Sequence, residues 1–354
     1  MSTNDDDRMI RRYLPELVEL HRLLDDAPQT LSSRVAHKVE INAHVLPIHV
    51  LTLGNPDPDV PAIGYFGGVH GLERIGTRVL LVFLQGLLNR LKWDPLLNKQ
   101  LELLRMVFVP IANPGGMWLN TRCNPAGVDL MRNAPVNALE RVPFMLGGQR
   151  FSANLPWYRG PEGAPMQPES QVLSKVVEDE LTSHRFSLAL DCHSGFGTRD
   201  RIWFPYAHTA SPFPHLPEVH ALKTLFEQTY PSHNYIVEPQ SLQYLTHGDL
   251  WDYFYLRARN DESLNAGKVF LPLTLEMGSW LWVKKNPRQL FSRQGLFNPR
   301  PGHRLHRILR RHQLWFDFLA RAACGYDNWL PQGHAWVRHN KLAMLEWYGG
   351  RGHS

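Results

Sequence analysis

His70 and Glu73 are separated by two residues, and a second histidine, His193, lies far downstream in Asp191-Cys192-His193-Ser194-Gly195. Two histidines and one carboxylate make a zinc ligand set that leaves one tetrahedral position open to water, which separates a catalytic zinc centre from a closed structural one. The chemistry implied is hydrolysis by activated water. A His-x-x-Glu spacing also arises by chance in a chain with 18 histidines, so the elements that carry it decide what it means.

His70 follows the apolar run 62–69, which is broken by Gly67 and Gly68, and Ile75, Val79, Leu80, Phe83 and Leu84 then recur at helical spacing. This pattern puts His70 and Glu73 on a strand-to-helix turn. His193 ends the apolar run 186–190 in the same manner. Side chains at the carboxyl ends of buried strands converge on one crevice, where open α/β sheets place their ligands. On these two features alone, a pair of satisfied structural histidines remains the alternative reading.

Between the two arms run Asn113-Pro114-Gly115-Gly116-Met117 and Arg122-Cys123-Asn124-Pro125-Ala126-Gly127-Val128-Asp129-Leu130-Met131-Arg132-Asn133. Farther on come Tyr158-Arg159-Gly160, Gln167-Pro168-Glu169-Ser170-Gln171 and Thr274-Leu275-Glu276-Met277-Gly278. In this order, over about residues 45 to 325, the segments resemble the carboxypeptidase A-like family of zinc metallopeptidases. Their joint occurrence is far more specific than any one of them.

The resemblance implies one zinc ion per chain, held by His70, Glu73 and His193, with Glu276 as the general base. It also makes Arg122 the electrophile beside the scissile carbonyl, Arg132 the receiver of the substrate's terminal carboxylate, and Asp129 the acid that orients His70. The residue types suit these tasks. A carboxylate accepts a proton and returns it to a leaving amine, an arginine counters charge developing on a tetrahedral oxyanion, and a planar guanidinium pairs with a carboxylate through two bonds.

Two departures from the family pattern carry information. Met131 stands where the family usually has asparagine, and a thioether cannot donate a hydrogen bond to a carboxylate. Leu72 replaces an arginine of carboxypeptidase A between the first two ligands. Fewer carboxylate donors suit an internal amide, a modified terminus or an N-acyl amino acid. The segment Tyr244-Leu245-Thr246-His247-Gly248-Asp249 best matches the family's mobile tyrosine, which makes Tyr244 a substrate-binding candidate and requires an inserted loop near residues 260–265.

The site fragments are spread over more than half the chain, so a single continuous sheet must collect them. Periodicity places strands near 48–53, 63–69, 106–111, 186–191, 201–206, 235–238 and 269–275, with helices between many of them. The expectation is one α/β domain over residues 1–354: a mixed, mainly parallel sheet flanked by helices, with an N-terminal helix near 7–25 and a tail near 326–354. The proline-rich stretch 207–218 reads as a loop.

With 354 residues and 43% hydrophobic content the chain can bury a sizeable core, and no apolar run reaches the roughly 18 residues of a membrane span. Its acidic, polar start does not resemble a signal peptide, and its three cysteines suit a reducing compartment, so a cytoplasmic location is expected. Cys192 adjoins a ligand, but on a strand it points away from His193's face. The net charge of +5 has no accompanying nucleic-acid motif, and the basic run 304–312 reads as the solvated face of an amphipathic helix. No nucleic-acid or membrane partner is therefore expected, and oligomeric state stays open. Arg199 and Arg201 follow His193 closely enough to be candidates for the pocket wall.

The resulting expectation is a zinc-dependent hydrolase that cleaves an amide bond, foremost a metallocarboxypeptidase acting on peptide or peptide-like substrates. The alternatives are an N-acyl-amino-acid deacylase of the succinylglutamate desuccinylase/aspartoacylase type, acting on an acyl-amino-acid, and a non-enzymatic binding protein with an inherited fold.

Overall fold

The computed structural model describes residues 3–260, 267–292, 294–300 and 302–349. From position 261 onward, the inserted loop expected near 260–265 falls outside them. Eight strands form one sheet: β1 (Ser32–Ile41), β2 (His44–Gly54), β3 (Ala62–Gly67), β4 (Arg105–Val109), β5 (Phe186–Ser194), β6 (Arg201–Phe204), β7 (Ile236–Pro239) and β8 (Val269–Met277). Their order is β1-β2-β4-β3-β5-β8-β6-β7. The central run β4-β3-β5-β8 is parallel, β6 pairs antiparallel with β8, and β1 and β2 add an antiparallel hairpin.

The helices are α1 (Thr3–Tyr13), α2 (Pro15–Asp25), α3 (Arg74–Arg90), α4 (Pro95–Glu102), α5 (Pro114–Leu119), α6 (Pro168–Val177), α7 (Leu216–Thr229), α8 (Leu250–Asn260), α9 (Trp280–Lys285), α10 (His303–Cys324) and α11 (Gly333–Trp347). Where periodicity suggests one N-terminal helix, the chain forms two. Pro15 lacks an N–H and biases Leu14 away from the helical region, so Leu14 caps α2 at φ −140° and α2 restarts with proline in its first turn. No helix among the described residues is long and apolar enough to cross a membrane.

Adjacent residues of β3 show how the sheet is covered on both faces. Tyr65 stacks on Phe316 of α10 at 5.2 Å and meets Phe83 of α3, whereas Phe66 packs edge-on against Trp251 of α8 at 5.0 Å. Alternation along a strand sends neighbouring side chains to opposite faces, so α3 and α10 form one layer and α8 lies in the other. Full burial of Tyr65, Phe66 and Phe316 contributes roughly 1.5–3 kcal/mol each. All nine residues of β5 are buried, as a central parallel strand covered on both faces requires. By contrast, the first four residues of edge strand β1 are exposed, and its sequence carries no strong strand signal.

The tail docks on the domain. Helix α11 packs along α7, and buried Trp347 donates its indole N–H to the Val237 carbonyl at 2.9 Å. The stretch 207–215 is loop, as its prolines imply, and α7 begins at Leu216.

Candidate active site

Strand β3 stops at Gly67, and Gly68 adopts φ +68°, a left-handed conformation that turns the chain without side-chain strain. The turn then runs against α5. A Cβ on Gly71 would stand 2.1 Å from the Gly116 carbonyl carbon, so only glycine fits between His70 and the remaining ligand-bearing residues. Glu73 occupies the position just before α3, and all three expected ligands are buried.

The ligand atoms converge. His70 Nδ1 lies 2.9 Å from Glu73 Oε1, His193 Nδ1 lies 3.1 Å from Glu73 Oε2, and the two Nδ1 atoms are 3.2 Å apart. Behind each ring sits a carboxylate: Asp129 Oδ1 is 3.0 Å from His70 Nε2, and Asp191 Oδ2 is 2.6 Å from His193 Nε2. Each carboxylate accepts the Nε2 proton and so directs the Nδ1 lone pair inward, toward the other ring and Glu73. Two lone pairs and a carboxylate facing one another in a buried space repel unless a cation lies between them. The donor set, two imidazole nitrogens and one carboxylate, fits zinc.

Asp129 holds several parts together. Besides His70, it accepts from Arg122 Nε at 2.8 Å and from the Met131 amide at 3.0 Å, capping the short turn Leu130–Arg132. Burial pushes its carboxyl up, but Arg122 and His70 outweigh this and hold it well below the usual carboxylate range. Arg122 also donates to Glu73 Oε1 at 3.1 Å.

Glu276 stands directly across from His193 in the β5/β8 register and accepts the Phe196 amide at 2.9 Å. Burial, reinforced by the negative charge of Glu73, pushes its carboxyl up to about 8. A carboxylate at this place can accept a proton and return it.

His70, Glu73, His193, Arg122 and Glu276 border a cavity of about 370 Å³ that also takes in Met131, Arg132 and Tyr244. The expected ligands, Glu276, Arg122, Met131, Arg132 and Tyr244 are therefore brought to one place, with Asp129 behind His70. Tyr244 touches the edges of Phe196 and Trp203, with ring centroids 5.9 and 6.1 Å away. Arg132 is 3% exposed, and its guanidinium donates to the carbonyls of Met131 and Leu146 and meets the Tyr244 hydroxyl, while among the described residues no carboxylate is salt-bridged to it. Leu72 lines the same cavity.

Two expectations change. Arg199 and Arg201 are not part of the cavity wall: Arg201 pairs with Glu238 at 2.9 Å and covers the outer face of Phe196, and Arg199 is exposed. Arg201 shares its face of β6 with Trp203 of the cavity wall, but the pull of Glu238 holds its guanidinium outside the cavity. Asp191 and Trp251, whose indole donates to Asp191 Oδ2 at 2.8 Å, are absent from the motif reading. Asp191 was detectable as the strand residue two before His193, hence on its face. Cys192 points the other way, against Gly76 of α3.

A family model described as zinc carboxypeptidase matches residues 29–278. Carboxypeptidase SOL1 of Arabidopsis thaliana is 32% identical over 233 residues, covering 63% of this chain and 41% of that protein, so the chain spans about two fifths of that relative's length. The fold is similar to bovine thrombin-activatable fibrinolysis inhibitor in its complex with tick carboxypeptidase inhibitor, with a TM-score of 0.61, 15% identity and coverage of 90% of this chain and 97% of that one. Carboxypeptidase A from Helicoverpa armigera aligns with a TM-score of 0.60 and 18% identity over 86% of this chain and 71% of that one. With a match across most of its length and the family's ligand types gathered at one strand edge, the chain belongs to the zinc carboxypeptidase family.

Proposed function

We propose that the protein is a zinc-dependent metallocarboxypeptidase that removes the last amino acid of a peptide or peptide-like substrate. The observation that carries this reading is Arg132, a buried guanidinium without a salt-bridge partner among the described residues, opening into the same cavity as the His70, Glu73 and His193 group. A buried cation is costly unless paired, so the cavity favours an anionic ligand group. A peptide's terminal carboxylate supplies it and brings the last amide bond toward the ligand cluster.

Zinc held by His70, Glu73 and His193 would supply a Lewis acid that lowers the pKa of water and polarises a carbonyl. The chain's own residues do the rest. Glu276, buried across from His193, takes a proton at its carboxylate and delivers it to the leaving amine. Arg122 is fixed by Asp129 and Glu73 with its guanidinium at the cavity wall, ready to stabilise negative charge on the scissile carbonyl oxygen. Tyr244 and Met131 complete the substrate's surroundings, and Asp129 and Asp191 hold the two rings in register.

Mass analysis of products from a panel of acyl-dipeptides, their C-terminal amides and N-acyl amino acids tests the proposal. Release of the last amino acid from free-acid substrates supports it. Exclusive release of a carboxylic acid from N-acyl amino acids replaces it with the deacylase reading. A cytoplasmic location belongs to the same proposal, supported by three unpaired thiols, Cys123, Cys192 and Cys324, and is checked by cell fractionation.

A further inference from the structure

Met131 leaves Arg132 without the neighbouring amide donor that would help hold a carboxylate, yet the cavity contains another polar group that the chemistry above does not use. Asp249 lines the cavity with Met131 and Arg132 and is 2% exposed. Its Oδ1 accepts the backbone N–H groups of Trp251 and Asp252, both at 3.0 Å, at the start of α8. Its Oδ2 is buried with no partner.

The surroundings decide which form of this carboxyl is present. Asp252, on the same helix, carries three N–H donors on Oδ2, from Ala207, His208 and the His208 ring, and its Oδ1 is also buried without a partner. Two adjacent buried carboxylates with orphan oxygens do not readily both stay ionised. From the turn Leu130–Arg132, Arg132 exerts the opposing pull. Burial and the charge of Asp252 prevail over Arg132 and the helix-start N–H bonds, pushing Asp249 up to about 7.

We propose that Asp249, as a neutral acid, donates its Oδ2 proton to the substrate's terminal carboxylate and so supplies the donor that Met131 lacks. This rests on the reading of Arg132 given above. A protonated carboxyl is a donor and acceptor at once, so Oδ1 continues to cap α8 while the unpartnered Oδ2–H stays free to donate. An incoming carboxylate bound to Arg132 also neutralises the cation that favours the ionised form of Asp249, which keeps the proton in place.

The test uses the zinc-loaded full chain carrying Glu276→Gln, which slows turnover, and calorimetric titration with benzoyl-Gly-Phe and its C-terminal amide from about pH 6 to about pH 9. The free acid is expected to lose about tenfold in affinity per pH unit above the Asp249 transition, and the amide to stay level. Asp249→Asn keeps both a donor and the capping acceptor, so it should bind the free acid tightly and without pH dependence, whereas Asp249→Ala should bind it weakly throughout. A level profile for the free acid overturns the proposal. So does Asp249→Asn that weakens benzoyl-Gly-Lys alone, because Asp249 would then read a cationic side chain. If free acid and amide bind equally at every pH, the carboxylate role of Arg132 itself fails. If the acid is preferred but Asp249 variants do not alter that preference, only the role of Asp249 fails.

Discussion

Asp191 and His193 occupy the same face of β5, and Asp191 Oδ2 lies 2.6 Å from His193 Nε2. The contact fixes both the orientation of the ring and which nitrogen keeps its lone pair for a metal. Trp251 donates to the same oxygen at 2.8 Å and so prevents the carboxylate from turning away. Wild-type protein should contain about one zinc per chain, and His193→Ala should lose it. Asp191→Ala should keep zinc but bind it about 10- to 100-fold more weakly in a chelator competition. Equal affinity in that variant would show that packing alone orients the ring.

Glu276 is separated from metal binding by its partners, since it bonds to the Phe196 amide rather than to the ligand cluster. Glu276→Gln preserves volume and the acceptor for that amide but cannot take a proton. Zinc content measured by mass spectrometry should be unchanged, with turnover reduced by at least about a hundredfold. A variant with substantial activity would move the base to another residue.

Met131 borders the cavity beside Arg132 and is buried. Met131→Asn adds an amide donor and should improve binding of free-carboxylate substrates by roughly 1.5–3 kcal/mol, seen mainly as a lower KM. Amidated counterparts should change little. The gain should be largest when Asp249→Ala has removed the neighbouring donor. Equal effects on acid and amide would place residue 131 away from the terminal carboxylate.

Acid should weaken the fold through His312. Burial lowers its pKa from 6.5 to about 4, with Asp200 only partly opposing, and its Nδ1 accepts the Tyr235 hydroxyl at 2.8 Å. Because the folded value lies below the unfolded one, the unfolded chain binds the extra proton first. The stabilisation is complete above 6.5 and is lost as pH falls toward 4, at up to about 1.4 kcal/mol per pH unit. His312→Gln should give a shallower dependence of Tm on pH over that window. An unaltered slope would remove His312 from the acid response.

Much of the architecture was legible from local pattern. Strand β5 reads as a buried run because all its residues pack inside, and β3 gives way to α3 through glycines whose spacing already marks a turn. The ligand types, the order of the motifs and the amphipathic face of α10 follow from backbone preferences and side-chain periodicity, which act over a few residues. The break at Pro15 was equally local, since it needs only a missing N–H, though the apolar periodicity runs straight across it.

Tertiary structure alone decided which distant groups meet. Trp251 reaches Asp191 because α8 covers the face of β5 that carries His193, and no spacing within either segment states that contact. Arg201 is two strand positions from a residue of the cavity wall, yet Glu238 on β7 holds it outside. Asp249 caps the start of α8 through one oxygen, and it becomes a cavity group because its second oxygen is buried near the charges of Asp252 and Arg132. Local sequence sets φ, ψ and facing, whereas burial and charge at the site arise from the packing of elements far apart in the chain, and those set the protonation and direction of each group.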